Sequence, residues 1–133
     1  MKNRSVQHDN WATPQKFYEE LDAEFHFDFD PCPLHATFNG LAVEWGQRNF
    51  INPPYSRTLK EAFVGKAVLE SRLGKLCVML LPVSTSTALF HDWIKPNAKE
   101  IRFIRGRLNF LANGVENEKY KSGQMDSMIV IFN

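Results

Sequence analysis

Apolar residues along this chain fall into blocks whose spacing switches between a helical and an extended period. Phe17, Leu21 and Phe25 recur every fourth position, the spacing of one helix face. Thr13-Pro14 just ahead reads as the helix start, with Thr13 as N-cap and Pro14 in the first position. Phe25-His26-Phe27-Asp28-Phe29-Asp30 then alternates strictly, which predicts a strand with one phenylalanine face, stopped by Asp30-Pro31-Cys32-Pro33. Leu34 to Gly40 reads as a loop and Leu41 to Trp45 as a short strand or turn. Phe50-Ile51-Asn52 reads as a buried strand cut off by Pro53-Pro54. Leu59, Phe63, Ala67 and the Val68/Leu69 pair predict a helix to Leu73, closed by Gly74. Leu76 to Leu81 is apolar throughout and is the predicted central strand, because only a strand covered on both faces needs no polar side.

Ser84 to Thr87 can cap a helix running through Leu89, Phe90 and Trp93 to Ile94, ended by Pro96. Ile101 to Phe110 reads as a strand turning near Gly106 into a second one. Ala112 to Gln124 reads as a polar loop and Ser127 to Phe132 as the closing strand. Residues 1–10 are expected to form a flexible N-terminal arm, and residues 11–133 one domain. Strands alternating with helices predict a single α/β unit whose sheet is mostly parallel with an antiparallel edge. A length of 133 residues suits one core.

Composition narrows the partners. A net charge of +1 argues against indiscriminate binding to polyanions and leaves room for a local basic face. No apolar run is long enough to span a bilayer, and Met1-Lys2-Asn3-Arg4 opens no signal peptide, so an intracellular protein is expected. Cys32 and Cys77 lack metal-ligand spacing and read as reduced thiols; His8, His26, His35 and His91 show no ligand spacing either. The absence of Gly-x-Gly-x-x-Gly after the first strand disfavours a redox enzyme.

The chemistry concentrates where the Phe50 strand ends. Asn52 offers a carbonyl oxygen as acceptor, and the stiff Pro53-Pro54 turn leaves a backbone carbonyl as a second. Tyr55 offers a ring on which a base can stack. Two acceptors and a ring suit a planar substrate bearing an exocyclic amino group, whose growing positive charge they would stabilise during attack on a methyl group. Asp30 ends a predicted strand, where a carboxylate could take ribose hydroxyls or an ammonium group, or only start a turn. Arg57 and Lys60 follow the Asn52 turn, and Arg105 and Arg107 flank Gly106. Each reads equally as a phosphate contact or as a solvated edge.

Taken in order, Trp11-x-Thr13-Pro14, Phe27-x-Phe29-Asp30-Pro31-Cys32, Gly40-Leu41, Trp45, Asn52-Pro53-Pro54-Tyr55-Ser56, Leu81-Pro82, Thr85-x-Thr87, Phe90-His91 and Gly106-Arg107-Leu108-x-Phe110, closed by the Met128 to Phe132 strand, form a pattern. It resembles the phage-type DNA N6-adenine methyltransferase family over nearly the whole chain. The resemblance implies a compact Rossmann-like fold, S-adenosylmethionine as cofactor and DNA as partner, in a monomer or homodimer. It also implies a phage or prophage origin and a place in the bacterial cytoplasm, with no membrane. Asn52 and the Pro53 carbonyl would bind the adenine amino group, Pro54 would stiffen the turn, and Tyr55 would stack on the flipped base. Trp11, Thr13 and Pro14 would contact the methionine end of the cofactor. Asp30, Pro31 and Cys32 would replace the usual glycine-rich loop, and Ser56, Arg57, Lys60, Arg105 and Arg107 would hold DNA. Asn39 stands where relatives often carry an acid, and Ser84 and Ser86 where they often have Arg and Asp. The same tetrapeptide suits protein glutamine methyltransferases, cytosine amino-group methyltransferases are chemically close but more often have Ser in its first position, and a catalytically inactive DNA- or partner-binding module is the non-enzymatic alternative.

Overall fold

A computed structural model of the chain describes residues 11–109, 111–112 and 124–133. Its core is organised on the central strand, β3 (Leu76–Pro82), buried from Leu76 to Leu81. The period of two divides its side chains cleanly. Cys77, Met79 and Leu81 pack with helix α2 (Arg57–Arg72) and Ile94, while Leu76, Val78 and Leu80 pack with helix α1 (Gln15–Phe25). Helices on both faces explain the continuous apolar run. On α2 the inward stripe is Phe63, Val64, Ala67 and Val68, whereas Leu69 turns outward at 57% exposure.

Strand β2 (Arg48–Ile51) pairs parallel to β3 through the α2 crossover. Beyond β3 come a π-helical stretch, Leu89–Ile94, continued by Lys95–Asn97 and together called α3, and then β4 (Glu100–Asn109). Two short strands, β1 (Trp11–Ala12) and β5 (Leu111–Ala112), pair antiparallel, and β6 (Gln124–Phe132) closes the main sheet. Its order is β2-β3-β6-β4, and β6 runs antiparallel to both neighbours. The sheet is therefore mixed, with one parallel ladder of three, and the reversed strand lies inside it rather than at its edge. The α2 and α3 connections allow β2, β3 and β4 to share a direction. Among the described residues no helix separates β4 from β6, and a chain that returns without a crossover pairs antiparallel.

Local readings change in four places, and a fifth, which left strand and turn open, is settled. The Phe25 to Asp30 alternation forms no strand; only Phe29 makes a parallel bridge, to Asn49. His26 adopts a left-handed conformation after α1, and the N–H groups of Asp28 and Phe29 both donate to Arg48 O, a bulge-like pairing that reverses side-chain parity. Phe27 therefore packs on the α1 side and Phe29 on the α2 side. Thr13 is not an N-cap: Pro14 holds that position without a side-chain cap, and the Thr13 hydroxyl is used elsewhere. Leu41 to Trp45 is a turn, with Trp45 buried. Pro96 lies inside α3 rather than ending it. Ile101 to Phe110 is no hairpin: β4 continues through a register shift between Phe103 and Arg107, where Gly106 has φ +76°. The expected arm at 1–10 and most of the Ala112 to Gln124 loop lie outside the described residues.

Two contacts hold the loops that precede β2. Lys75 Nζ donates to Glu70 Oε1 at 2.6 Å and to Trp45 O at 3.0 Å, joining the Trp45 turn to the end of α2. Gly40 is buried against the Pro31 carbonyl, and a Cβ built on it would sit 1.8 Å from Pro31 O and 2.8 Å from Pro31 C. Here glycine is required by close approach of two backbones. Gly40→Ala is expected to destabilise the fold by at least about 2 kcal/mol, because the obstacle is main chain and cannot rotate away. Urea unfolding checks this, and an unchanged midpoint would show that the Pro31 segment yields freely.

Candidate active site

The site is built where β2 stops. Pro53 and Pro54 lack N–H donors and cannot extend the ladder, so Asn52 is held at the carboxyl end of the strand before Ser56 leads into α2. Two neighbours grip it. Asn52 Nδ2 donates to Thr13 Oγ1 at 3.0 Å, and Cys32 Sγ donates to Asn52 O at 3.2 Å. The β1–β5 pairing ends one residue before Thr13, and Asp30 Oδ1 accepts the Cys32 N–H at 2.9 Å, so both gripping residues are themselves anchored.

These residues open onto a cavity of about 590 Å³, within the range of small-molecule sites. Thr13, Asp30, Asn39 and Asn52 give it polar points, while Tyr18, Phe38, Phe50 and Phe63 give apolar walls. The walls change the titration of its groups. Burial raises the Asp30 carboxyl from 3.8 to about 6, with the Cys32 N–H opposing the rise. Burial and then the Asp30 charge push the Cys32 thiol up. Burial also raises the Tyr55 hydroxyl, so Tyr55 remains a neutral phenol. A half-desolvated carboxyl favours a cationic ligand group, which would draw it back toward the charged form.

The family model described as "DNA N-6-adenine-methyltransferase (Dam)" matches residues 2–133. The chain belongs to this family. It is 36% identical over 139 aligned residues to a DNA N-6-adenine-methyltransferase of Haemophilus phage HP1 (strain HP1c1), covering 93% of this chain and 78% of that protein. It is also 31% identical over 130 residues to a DNA N-6-adenine-methyltransferase of Escherichia phage T1, covering 88% of this chain and 52% of that protein. No solved structure matches the chain.

For this member of the Dam family, the fold brings only part of the expected site into one place. Thr13, Asp30, Pro31, Cys32, Asn52 and Pro54 line the large cavity. Pro53 is buried and Tyr55 half-buried, and neither lines it. Pro14 is taken up by the helix start, where its carbonyl accepts the Tyr18 N–H, and Trp11 is placed by its backbone pairing with Ala112. Arg57 and Lys60 instead border a second cavity of about 370 Å³ floored by Leu81, Leu89, Ile94 and Met128. Ser56 is exposed before α2, and Arg105 and Arg107 are exposed around the β4 register shift. Arg107 pairs with Asp126 at 3.1 Å, and Arg57 with Glu61 at 3.1 Å.

Sequence reasoning missed the aromatic walls. Tyr18 lies beside Phe17 on the inner side of α1, and helical phase could have flagged it. Phe38 sits in a loop with no periodic signal. Asn39 lines the cavity while its Oδ1 accepts the Leu41 N–H at 3.0 Å. Among the described residues no group of acids, histidines and cysteines could hold a metal ion.

The raised Asp30 value has a signed consequence. The contribution of this carboxyl to stability is fully present below its ordinary 3.8 and is lost as pH rises through about 6. Asp30→Asn cannot ionise and can still accept the Cys32 N–H. It is expected to stabilise the ligand-free protein by about 2 kcal/mol near pH 7 and to leave it unchanged near pH 4. Thermal melts at both pH values check this, and equal shifts at the two would show that the gain comes from something other than ionisation.

Proposed function

We propose that the chain transfers the methyl group of S-adenosylmethionine to the exocyclic N6 amino group of adenine in DNA. The observation that carries this reading is Asn52 held at the end of β2, with its amide against the wall of a ligand-sized cavity. Family membership supports the same reaction, substrate and cofactor. Three co-directional strands with one reversed strand between them also support a Rossmann-like methyltransferase sheet.

The cavity suits the cofactor chemically. Asp30 is a desolvated carboxyl for a cationic group, Tyr18, Phe38 and Phe50 are flat or apolar walls for an adenosine moiety, and Ala12 and Thr13 with Pro31 and Cys32 complete the rim. When bound, S-adenosylmethionine supplies an electrophilic methyl group and departs as a neutral thioether. The chain does the rest by position. The carbonyl oxygens of Asn52 and Pro53 accept hydrogen bonds from the adenine N6 amino group and stabilise positive charge gathering on nitrogen. Both acceptors are neutral, so the charge is met by oriented dipoles until the methylated nitrogen gives up its extra proton to water.

Adenine N6 is unreachable within a duplex, so the base leaves the stack and lies on the Tyr55 ring. Tyr55 does not line the cofactor cavity, so a base on its ring would sit apart from the cofactor walls. Ser56, Arg57 and Lys60 on one side and Arg105 and Arg107 on the other hold flanking phosphates. The Arg57–Glu61 and Arg107–Asp126 pairs are exposed, and such pairs exchange partners at little cost.

The test is transfer of a labelled methyl group to mixed-sequence DNA, with nucleoside digestion and mass spectrometry. N6-methyladenine from the wild type and none from Asn52→Ala is expected, whereas methylated peptide glutamine or methylcytosine would replace the reading. Tyr55→Ala is expected to weaken DNA binding roughly tenfold or more through lost stacking. Unchanged affinity for single-stranded DNA in that variant would remove the ring from the base site.

A further inference from the structure

We infer that Thr13 is a positioning residue that sets which end of the Asn52 amide faces the substrate amine, an inference that rests on the reaction proposed above. The two ends of a carboxamide are nearly the same size but opposite in hydrogen bonding. With the oxygen forward, Asn52 accepts from an amino group; with the nitrogen forward, two donors face each other. Something must choose.

The backbone does not choose. It is firmly held, since β2 pairs with β3 up to Ile51, Pro53 fixes the following turn, and the Cys32 thiol bonds the Asn52 carbonyl. The last torsion of an asparagine side chain is nevertheless broad and roughly two-fold, so a fixed backbone leaves both amide orientations open. In the structure Asn52 Nδ2 donates to Thr13 Oγ1 at 3.0 Å, which places the amide nitrogen on the Thr13 side. This bond satisfies the nitrogen on the side of β1 and α1 and directs the oxygen away from Thr13.

The placement of Thr13 fits this use. A threonine immediately before Pro14 is well suited to cap α1, yet the helix takes Pro14 at that position and has no side-chain cap. The hydroxyl is diverted to Asn52, 39 residues along the chain. Thr13 also lines the cofactor cavity, so the segment that closes on the cofactor also orients the catalytic amide. The hydroxyl, turned to Asn52, would thereby act in transfer as well as at the cofactor wall.

Removing the hydroxyl at constant shape isolates the effect. Thr13→Val is expected to lower kcat for DNA methylation by about a hundredfold, the scale of a misplaced reacting group. Thr13→Ser, which keeps the oxygen, should restore most of it. Affinity for S-adenosylhomocysteine, measured by calorimetry without turnover, should fall far less than kcat in both. In an Asn52→Asp background the two carboxylate oxygens are equivalent, and the fall caused by Thr13→Val should shrink. Wild-type kcat in Thr13→Val, loss of S-adenosylhomocysteine binding with kcat at saturation intact, or an equal fall in the Asn52→Asp background would each overturn the inference. Failure of the underlying reaction shows differently, as wild-type protein that leaves adenine unmethylated or as Asn52→Ala with full activity.

Discussion

Burial of β3 on both faces is the constraint from which the rest of the structure follows. A strand whose alternate side chains are all apolar must be covered from two sides, and the chain supplies α1 for one face and α2 with α3 for the other. The crossover through α2 makes β2 and β3 parallel, so their carboxyl ends open at the same edge of the sheet. Asn52 lies at that edge, and the segments leading to and from β2 converge there. The site is thus a consequence of the layering, with its contents supplied by loops.

The same layering governs electrostatics. Asp30 and Cys32, which face the cavity, lose water and hold their protons to higher pH than usual, and burial does the same for Tyr55 outside it. Basic groups on the outside remain solvated and pair with nearby acids. Arg102 binds Glu24 through two nitrogens at 2.8 and 2.7 Å and joins β4 to α1, which gives that arginine a structural use. Arg105 and Arg107, close by in sequence, are exposed around the register shift instead. Arg57, Arg105 and Arg107 stay solvated and do not line the cavity, and the proposed reaction would use them to hold a polyanion on the surface.

The comparison between sequence and structure is uneven in an instructive way. Central strand, α2, the closing strand and the stop at Asn52 were legible because each rests on a local rule: a continuous apolar run, a four-residue stripe, or paired prolines. Failures came where tertiary pairing outweighed a local pattern. The alternating phenylalanines promised one face, but the double use of the Arg48 carbonyl changed their parity and sent Phe27 and Phe29 to opposite sides of the sheet. Gly106 suggested a hairpin, but pairing with β6 carried β4 through it as an irregularity. Sheet direction was misjudged because alternation of strands and helices does not tell which gap a returning strand enters.

For the candidate site, residue types and their order brought out Asn52, its prolines, Tyr55 and Asp30 as candidates, since each has a chemistry visible in one dimension, whereas Pro31 and Cys32 came with the family resemblance. Only the folded chain decided that Thr13 serves Asn52 rather than its own helix, that Gly40 must lack a side chain beside Pro31, and that Tyr18 and Phe38 wall the cavity. The reason is physical. A hydroxyl, a missing methyl group or an aromatic ring has no preferred partner until backbone pairing places one within about 3–4 Å, and that pairing here spans the length of the chain.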